Sequence, residues 1–191
     1  MLLRVDDLTG THAVAAAIAG LARAGDVIVL AGEMGTGKTA FAQGFGRALG
    51  VSEPITSPTF TLVHSYPLAH RLTLHHADIY RLERTRDVDD LALPELASFN
   101  GIVLVEWGDV AGAALGDHLE VRLDHVDELA VQDDDAQDDA QDDGAQGEVA
   151  DDGDGNDFAD SGCREIELRA VGATWAGRWD RIAREVERYR C

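Results

Sequence analysis

The sequence has few cysteines and no long apolar run. Cys163 and Cys191 are its only cysteines and form no CxxC pair, so we expect no disulfide framework and two free thiols, as in a reducing compartment. No apolar stretch approaches the ~20 residues of a transmembrane helix. The N-terminus lacks the basic and apolar segments of a secretion signal. These absences predict a cytoplasmic protein without a membrane anchor.

Positive charge is also scarce, and the negative charge is concentrated in one segment. The formal net charge is −20, but the stretch from Asp124 to Asp160 holds 14 Asp and 2 Glu and no Lys or Arg. Without these 16 carboxylates the remaining charge is only −4. No cluster of Arg is interleaved with aromatic residues, and an acidic segment repels phosphates, so a direct nucleic-acid or DNA surface is not expected.

Residues 126–162 consist mainly of Asp, Gln, Ala and Gly. This composition buries too little apolar surface to offset the entropy of ordering, so it predicts a disordered, low-complexity acidic insertion. A calcium loop of the EF-hand type is the alternative, starting at Asp151. Its twelfth position requires Glu but holds Gly162, which argues against it.

A phosphate-binding motif is the most informative feature of the sequence. Gly32–Thr39 reads GEMGTGKT and matches G-x-x-x-x-G-K-[ST] in full. It follows the apolar run 27–31, a predicted buried strand, and opens the predicted helix 39–49, which ends at Gly50. Glycines let backbone N–H groups surround phosphates, and the helix N-terminus favours the same anion. The predicted nucleotide contacts are Glu33, Met34, Gly35, Thr36, Gly37, Lys38, Thr39 and Ala40.

Lys38 is the only lysine in the chain, whereas the other fifteen basic residues are Arg. This indicates a position that requires a compact point charge on a flexible stem instead of a planar guanidinium. We expect Lys38 to reach the β- and γ-phosphates and the Thr39 hydroxyl to bind Mg²⁺. A guanine-reading Asn-Lys-x-Asp motif needs a second lysine, so ATP is favoured over GTP by elimination.

Carboxylates follow two further predicted elements. The apolar strand 102–105 ends at Glu106, where a carboxylate can bind Mg²⁺ and orient an attacking water. Asp78 is either a second acidic contributor to that site or a turn residue. The catalytic candidates are therefore Lys38, Glu106 and Asp78. The candidate metal ligands are Thr39 and Glu106. His75 and His76 are adjacent on an extended segment and face opposite sides, which argues against joint metal binding.

The remaining pattern predicts an α/β protein with a single domain over residues 1–191. We expect a helix over 11–23 capped by Thr9 or Thr11, and a helix over 87–99 broken near Pro94. Two segments in which apolar and polar residues alternate predict a solvent-facing antiparallel hairpin. The other expected elements are a strand at 60–66, extended chain at 71–82, the hairpin strands at 119–123 and 165–170, and a charged helix at 178–189.

Four blocks together resemble the TsaE (YjeE-like) ATPases, which take part in making threonylcarbamoyladenosine in bacterial tRNA. The blocks are LAGEMGTGKT from Leu30, SPTFTLV from Ser57, HADIYRL from His76 and VEW from Val105. The first block is generic to many folds, whereas the other three in this order are more specific. The resemblance covers residues 5–123 and resumes near Gly162. Met34 and Thr36 depart from the residues more usual in the loop, and the acidic insertion is the larger departure.

The resemblance implies a P-loop fold of three layers with a central mixed sheet, Mg²⁺-dependent ATP hydrolysis and assembly with TsaB and TsaD subunits. Through that complex it implies an indirect link to tRNA. It also implies that Thr11 and Arg164 contact the nucleotide, that Glu106 binds Mg²⁺, and that Asp78 is important for activity. Residues 57–59 match a switch-like loop near the γ-phosphate.

Two other functions are compatible with the same motif. A small-molecule kinase also carries this loop and uses an Arg-rich lid, which Arg81, Arg84 and Arg86 resemble. A nucleotide-gated binding module with negligible hydrolysis is the second alternative. Transfer of the γ-phosphate to a metabolite identifies the first, and function that survives loss of Glu106 identifies the second.

Overall fold

The fold was obtained as a computed structural model that describes residues 1–82, 85–108, 112–126 and 162–191. The interior of the acidic insertion predicted at 126–162 lies outside these residues, as does Arg84. Within the described ranges, no helix has both the length and the apolar character needed to cross a membrane.

A seven-stranded mixed sheet forms the centre of the described chain, in the order β1-β7-β6-β2-β5-β4-β3. β6, β2, β5 and β4 are mutually parallel, whereas β1, β7 and β3 pair antiparallel with their neighbours. The predicted α/β fold with a central mixed sheet is confirmed. The strands are β1 Leu2–Val5, β2 Val27–Ala31, β3 Val63–Pro67, β4 Thr73–Asp78, β5 Gly101–Glu106, β6 His118–His125 and β7 Arg164–Val171.

Helices cover both faces of this sheet and create two apolar cores. One core joins the sheet to α1 and α2 and to the C-terminal helices, and the other joins it to α3 and α4. The helices are α1 Leu8–Ala19, α2 Lys38–Leu49, α3 Thr85–Asp89, α4 Leu93–Ser98, α5 Ala173–Ala176 and α6 Trp179–Glu185. β2 and β5 are buried on both faces because they lie between the two layers, which explains their continuous apolar sequences.

Several local predictions differ from the structure. α1 begins at Leu8 and is capped by the Asp7 carboxylate, which accepts from Gly10 N at 2.7 Å, so the predicted caps Thr9 and Thr11 are wrong. The strand expected at 60–66 begins only at Val63. The expected hairpin of β6 and β7 is confirmed, but most residues of β6 are buried, so it does not face solvent, whereas β7 alternates between buried and more exposed residues. β1 was not predicted.

The sheet topology brings the candidate residues to one edge. β2, β5 and β4 are adjacent and parallel, so their carboxyl ends lie side by side. Gly32 follows β2, Glu106 ends β5 and Asp78 ends β4. Asp78 is in register with Glu106, which is in register with Leu30. Ligands of open parallel sheets bind outside this edge, and Gly32, Asp78 and Glu106 meet there.

Candidate functional site

The loop between β2 and α2 has the backbone conformation that its glycines allow. Gly35 and Gly37 have φ values of +84° and +99°, in the left-handed region that favours glycine. Gly32 has φ +124°, and a Cβ there would lie 2.1 Å from the Leu123 carbonyl oxygen. The loop therefore passes too close to β6 for any side chain at Gly32, and it turns directly into the N-terminus of α2.

The Lys38 side chain is buried inside this loop. Its ammonium donates to the carbonyl oxygens of Gly32 at 2.9 Å and Glu33 at 2.5 Å. It also lies 3.8 Å from the centre of the Trp107 ring, where a cation–π attraction adds to the hydrogen bonds. The charge is therefore held between the carbonyl oxygens at the start of the loop and the Trp107 ring.

The Thr39 hydroxyl and the Glu106 carboxylate are in direct contact. The hydroxyl oxygen lies 3.0 Å and 3.1 Å from the two carboxylate oxygens of Glu106. His76 approaches the same carboxylate, with its Nε2 at 2.9 Å from Glu106 Oε1. His76 and Glu106 are buried, so these polar contacts form away from bulk water.

Asp78 contacts the segment 57–59 instead of the Thr39–Glu106 pair. Its Oδ2 accepts from the hydroxyls of Ser57 at 2.5 Å and Thr59 at 2.8 Å. Its Oδ1 accepts from the backbone N–H of Tyr80 at 3.0 Å. In this structure Asp78 holds the segment 57–59 against the end of β4, beside the phosphate-binding loop.

Arg164, the first residue of β7, forms a hydrogen bond with the backbone of the phosphate-binding loop. Its Nε donates to the Thr36 carbonyl oxygen at 3.0 Å, and its Nη1 donates to the Gly162 carbonyl oxygen at 2.9 Å. The side chain is buried, and burial lowers the pKa of the guanidinium. Arg164 therefore ties the first residue of β7 to the middle of the phosphate-binding loop.

A cavity of about 430 Å³ opens between the loop and these strand ends. Its size falls within the range of small-ligand sites. The wall combines one lysine, one arginine, two carboxylates, three Ser or Thr hydroxyl groups, and the aromatic rings of a tyrosine and a tryptophan. The lining residues are Met34, Gly35, Gly37, Lys38, Thr39, Ala40, Ser57, Thr59, Asp78, Tyr80, Arg81, Glu106 and Trp107.

This set of groups fits a nucleoside triphosphate with Mg²⁺. Lys38, the loop amides and the N-terminus of α2 suit phosphates, and the oxygens of Thr39 and Glu106 suit Mg²⁺. Among the described residues, no three His, Cys, Asp or Glu side chains are grouped so that they hold a metal ion by themselves. Mg²⁺ in nucleotide sites takes one or two carboxylates and completes its shell with phosphate and water, so this donor set is sufficient.

Some predicted contacts do not line the cavity. Thr11 is buried on α1, and its hydroxyl lies 3.4 Å from the Asp7 carbonyl oxygen. Thr36 and Glu33 serve the loop itself, since the Thr36 hydroxyl donates to the Glu33 carbonyl oxygen at 2.9 Å. Arg164 acts on the loop backbone, as described above. The structure thus places these four within the loop, against its backbone or on α1, and the other predicted residues on the wall.

Three residues of the site were not identified as site residues from the sequence. His76 contacts Glu106, Trp107 lies under Lys38, and the Tyr80 ring packs on Trp107 with 4.8 Å between the ring centres. Trp107 has φ +63°, a strained conformation that is common at functional sites. His76 and Tyr80 belong to the HADIYRL block and Trp107 to VEW, so the blocks themselves were the available signal.

Arg81, a candidate for the proposed kinase lid, lines the cavity, and its guanidinium lies 4.5 Å from the centre of the exposed Phe60 ring. Arg86 is exposed on α3. In the described residues, therefore, only Arg81 of the three lid candidates faces the site.

Comparison with known proteins gives one family. The family model described as "Threonylcarbamoyl adenosine biosynthesis protein TsaE" matches residues 5–134. Curated proteins named as tRNA threonylcarbamoyladenosine biosynthesis protein TsaE are similar in sequence. The relative from Treponema pallidum is 42% identical over 94 residues, which cover 49% of this chain and 68% of the relative. The relative from Bacillus subtilis is 42% identical over 97 residues, covering 51% and 60%.

The relative from Streptomyces coelicolor is 40% identical over 110 residues, covering 56% of this chain and 74% of that protein. Among solved structures, the crystal structure of YdiB from Bacillus is similar with a TM-score of 0.60 and 25% identity. That superposition covers 98% of this chain and 94% of YdiB. The alignments with the curated relatives thus cover between 60% and 74% of their lengths, whereas the structural match is nearly complete.

Proposed function

The chain belongs to the TsaE family, whose members take part in threonylcarbamoyladenosine biosynthesis on tRNA, and on that premise we propose that it binds and hydrolyses ATP with Mg²⁺. The observation that carries this proposal is the contact between Thr39 and Glu106, at 3.0 Å and 3.1 Å, next to the buried ammonium of Lys38. Oxygen ligands for Mg²⁺ and a cation for phosphate thereby meet at the N-terminus of one helix.

Each residue has a role that follows from its position. Lys38 and the loop N–H groups bind and neutralise phosphate oxygens, and Thr39 and Glu106 hold Mg²⁺. When bound, Mg²⁺ stabilises the negative charge that develops on the transferred phosphoryl group. Arg164 keeps the loop in shape through the Thr36 carbonyl oxygen. Glu106 also orients the attacking water, and Asp78 sets the position of Ser57 and Thr59.

The proposed cellular role is that of a cytoplasmic ATPase that acts on a tRNA-modifying complex with TsaB and TsaD subunits. Family membership supports the pathway, and the partners follow from the resemblance of the sequence blocks. Hydrolysis by the chain alone is slow in this proposal, because the subunits complete the site. tRNA is then contacted through the complex and not by this chain.

Complementation of a strain that lacks this activity tests the proposal. We expect rescue by the wild-type chain and by Glu167→Ala, a control that removes an exposed carboxylate on β7. Lys38→Ala and Glu106→Ala should not rescue. Rescue by all four chains would contradict the mechanism. Failure of the purified chain to support repeated turnover of tRNA modification with TsaB and TsaD would contradict the cellular role.

A further inference from the structure

His76 is fully buried next to the proposed metal ligand Glu106. It lies on β4, two residues before Asp78 and in register with Leu104 of β5. Its side chain shares a sheet face with Glu106, and its Nε2 is 2.9 Å from Glu106 Oε1. Nothing in the proposed roles of Lys38 and Thr39 requires a histidine at this point.

The contacts of Glu106 are unequal between its two oxygens. Oε1 has two partners, the Thr39 hydroxyl at 3.0 Å and His76 Nε2 at 2.9 Å. Oε2 has the same Thr39 hydroxyl at 3.1 Å. One oxygen is therefore held from two directions, and the other keeps more of its capacity to accept a further ligand.

The contact also fixes which nitrogen of His76 carries hydrogen. An ionised carboxylate accepts hydrogen bonds and cannot donate them, so Nε2 must be the donor. His76 Nδ1 is buried and has no hydrogen-bond partner among the described residues. A hydrogen on Nδ1 would be a buried donor without an acceptor, which favours the tautomer with hydrogen on Nε2 alone.

We propose that His76 is a positioning residue that holds Glu106 Oε1 and thereby directs Oε2 to Mg²⁺. This inference rests on the proposed function, since it takes Glu106 as a metal ligand. A free glutamate side chain has several rotatable bonds, and a donor at one oxygen removes most of that freedom before the metal arrives. Groups that hydrogen-bond to metal-binding side chains in this way typically change metal affinity by about 10- to 100-fold.

The neighbouring histidine supplies a matched control. His75 is the preceding residue of the same strand and is also nearly buried, but it faces the other side of the sheet. Its Nδ1 lies 2.8 Å from the Ser65 hydroxyl on β3, away from Glu106. His75→Leu therefore removes a buried imidazole from β4 without altering the contacts of Glu106.

The test is a calorimetric titration of ATP into the full chain at a series of Mg²⁺ concentrations and in EDTA. For His76→Leu we expect the Mg²⁺ concentration of half-maximal effect to rise about 10- to 100-fold, with binding in EDTA unchanged. His76→Gln should restore most of the loss, because its amide nitrogen offers a donor at similar reach. His75→Leu should match wild type. Wild-type behaviour of His76→Leu, or a Gln variant as impaired as Leu, would overturn the inference.

Two further measurements keep the test valid if His76→Leu folds poorly. In the Glu106→Gln background, His76→Leu should cause no additional change in Mg²⁺ requirement, whereas a general packing defect would persist. In the wild-type chain without nucleotide, a long-range ¹H–¹⁵N spectrum should show His76 with hydrogen on Nε2 only. Hydrogen on Nδ1 with a bare Nε2 would overturn the inference.

The outcomes separate this inference from the proposed function. If wild-type binding of ATP does not depend on Mg²⁺, the proposed function fails. If it does depend on Mg²⁺ and His76→Leu shows the same dependence, only the positioning role of His76 fails.

Discussion

The Lys38 side chain combines hydrogen bonds with a cation–π contact. Its ammonium binds two loop carbonyl oxygens and a tryptophan face, in a space enclosed by the loop and Trp107. A planar guanidinium is wider and places its donors in a fixed fork. The scarcity of lysine elsewhere in the sequence agrees with this steric demand.

We predict that Lys38→Arg lowers the affinity for Mg²⁺–ATP by about tenfold or more, because the guanidinium cannot reach the phosphates from inside the loop. Loss of one charge-assisted hydrogen bond costs about 1.5–3 kcal/mol, and about 1.4 kcal/mol corresponds to tenfold. Isothermal titration calorimetry measures the affinity. Arg169→Lys, at an exposed arginine that binds Glu120, is the matched control and should leave the affinity unchanged. Wild-type affinity in the Lys38→Arg variant would contradict the steric argument.

Part of the candidate site could be predicted from the sequence alone. Lys38, Thr39 and Glu106 were accessible because a spacing motif and a strand end indicate them. His76 and Trp107 were not, since their roles depend on contacts with residues 30 and 69 positions away in the chain. The sequence left Asp78 as either a contributor to the metal site or a turn residue. In the structure, hydrogen bonds tie it to the segment 57–59.

The phosphate-binding loop passes so close to β6 that its first residue has no room for a side chain. Gly32→Ala should destabilise the fold by about 3 kcal/mol or more, because its Cβ would overlap the Leu123 carbonyl and because φ is +124°. Gly25→Ala is the control, since Gly25 also has positive φ but no atom within 4 Å of an added Cβ. It should cost only about 1–2 kcal/mol. Urea unfolding measures both, and equal losses would contradict the close approach.

A buried ion pair joins the C-terminal helices to the turn before β2. Arg178 donates to both Asp26 oxygens, at 2.7 Å and 2.5 Å, and to the Leu21 carbonyl oxygen at 2.8 Å. Arg178→Met should lower the free energy of unfolding by about 3–5 kcal/mol, because it leaves the Asp26 charge buried without its partner.

The matched control for this pair is Arg169→Met, which breaks an ion pair with Glu120 whose arginine side chain is 64% exposed. A pair of that kind is worth at most about 1 kcal/mol. Denaturant unfolding of both variants provides the comparison. A loss at Arg178 no larger than that at Arg169 would contradict a structural role for the buried pair.

The local pattern of apolar and polar residues explains which strands and helices could be predicted from the sequence. β2 and β5 were found because burial on both faces produces an uninterrupted apolar run. β1 was missed because it has four residues and gains its hydrogen bonds from β7, near the other end of the chain. The start of α1 was misplaced because several nearby positions offered capping side chains, and only the fold selects Asp7.

The stability of the fold should depend on pH through two histidines, His12 and His75. Burial lowers the pKa of His12 and His75 below the usual value, and the charge of Arg47 adds to the effect at His12. The folded state then binds fewer protons than the unfolded state below about pH 6.5. The free energy of unfolding should therefore fall as the pH decreases from about 7 to about 5.

Urea unfolding across this range measures the slope for the wild-type chain. The double variant His12→Asn and His75→Asn should show a flatter dependence, because neither side chain titrates in this window. An unchanged slope in the double variant would contradict the assignment to these two groups.

The acidic insertion should be separable from the site. β6 and β7 pair up to His125 and Arg164, and the backbone N–H of Val126 donates to the Cys163 carbonyl oxygen at 3.2 Å. The ends of the insertion are therefore close enough for a short turn. Replacing residues 128–160 by a short glycine-rich linker should leave ATP affinity and melting temperature nearly unchanged. A loss of nucleotide binding would show that the insertion contributes to the site.

We expect that Lys38, Thr39 and Glu106 form one Mg²⁺-dependent ATP site. Calorimetric titration of ATP into the wild-type chain and into Lys38→Ala, each with Mg²⁺ and with EDTA, measures whether they do. We predict saturable binding of one ATP per wild-type chain, weaker in EDTA, and loss of that binding in a folded Lys38→Ala variant. Equal binding by both chains, or none by the wild type, would contradict it.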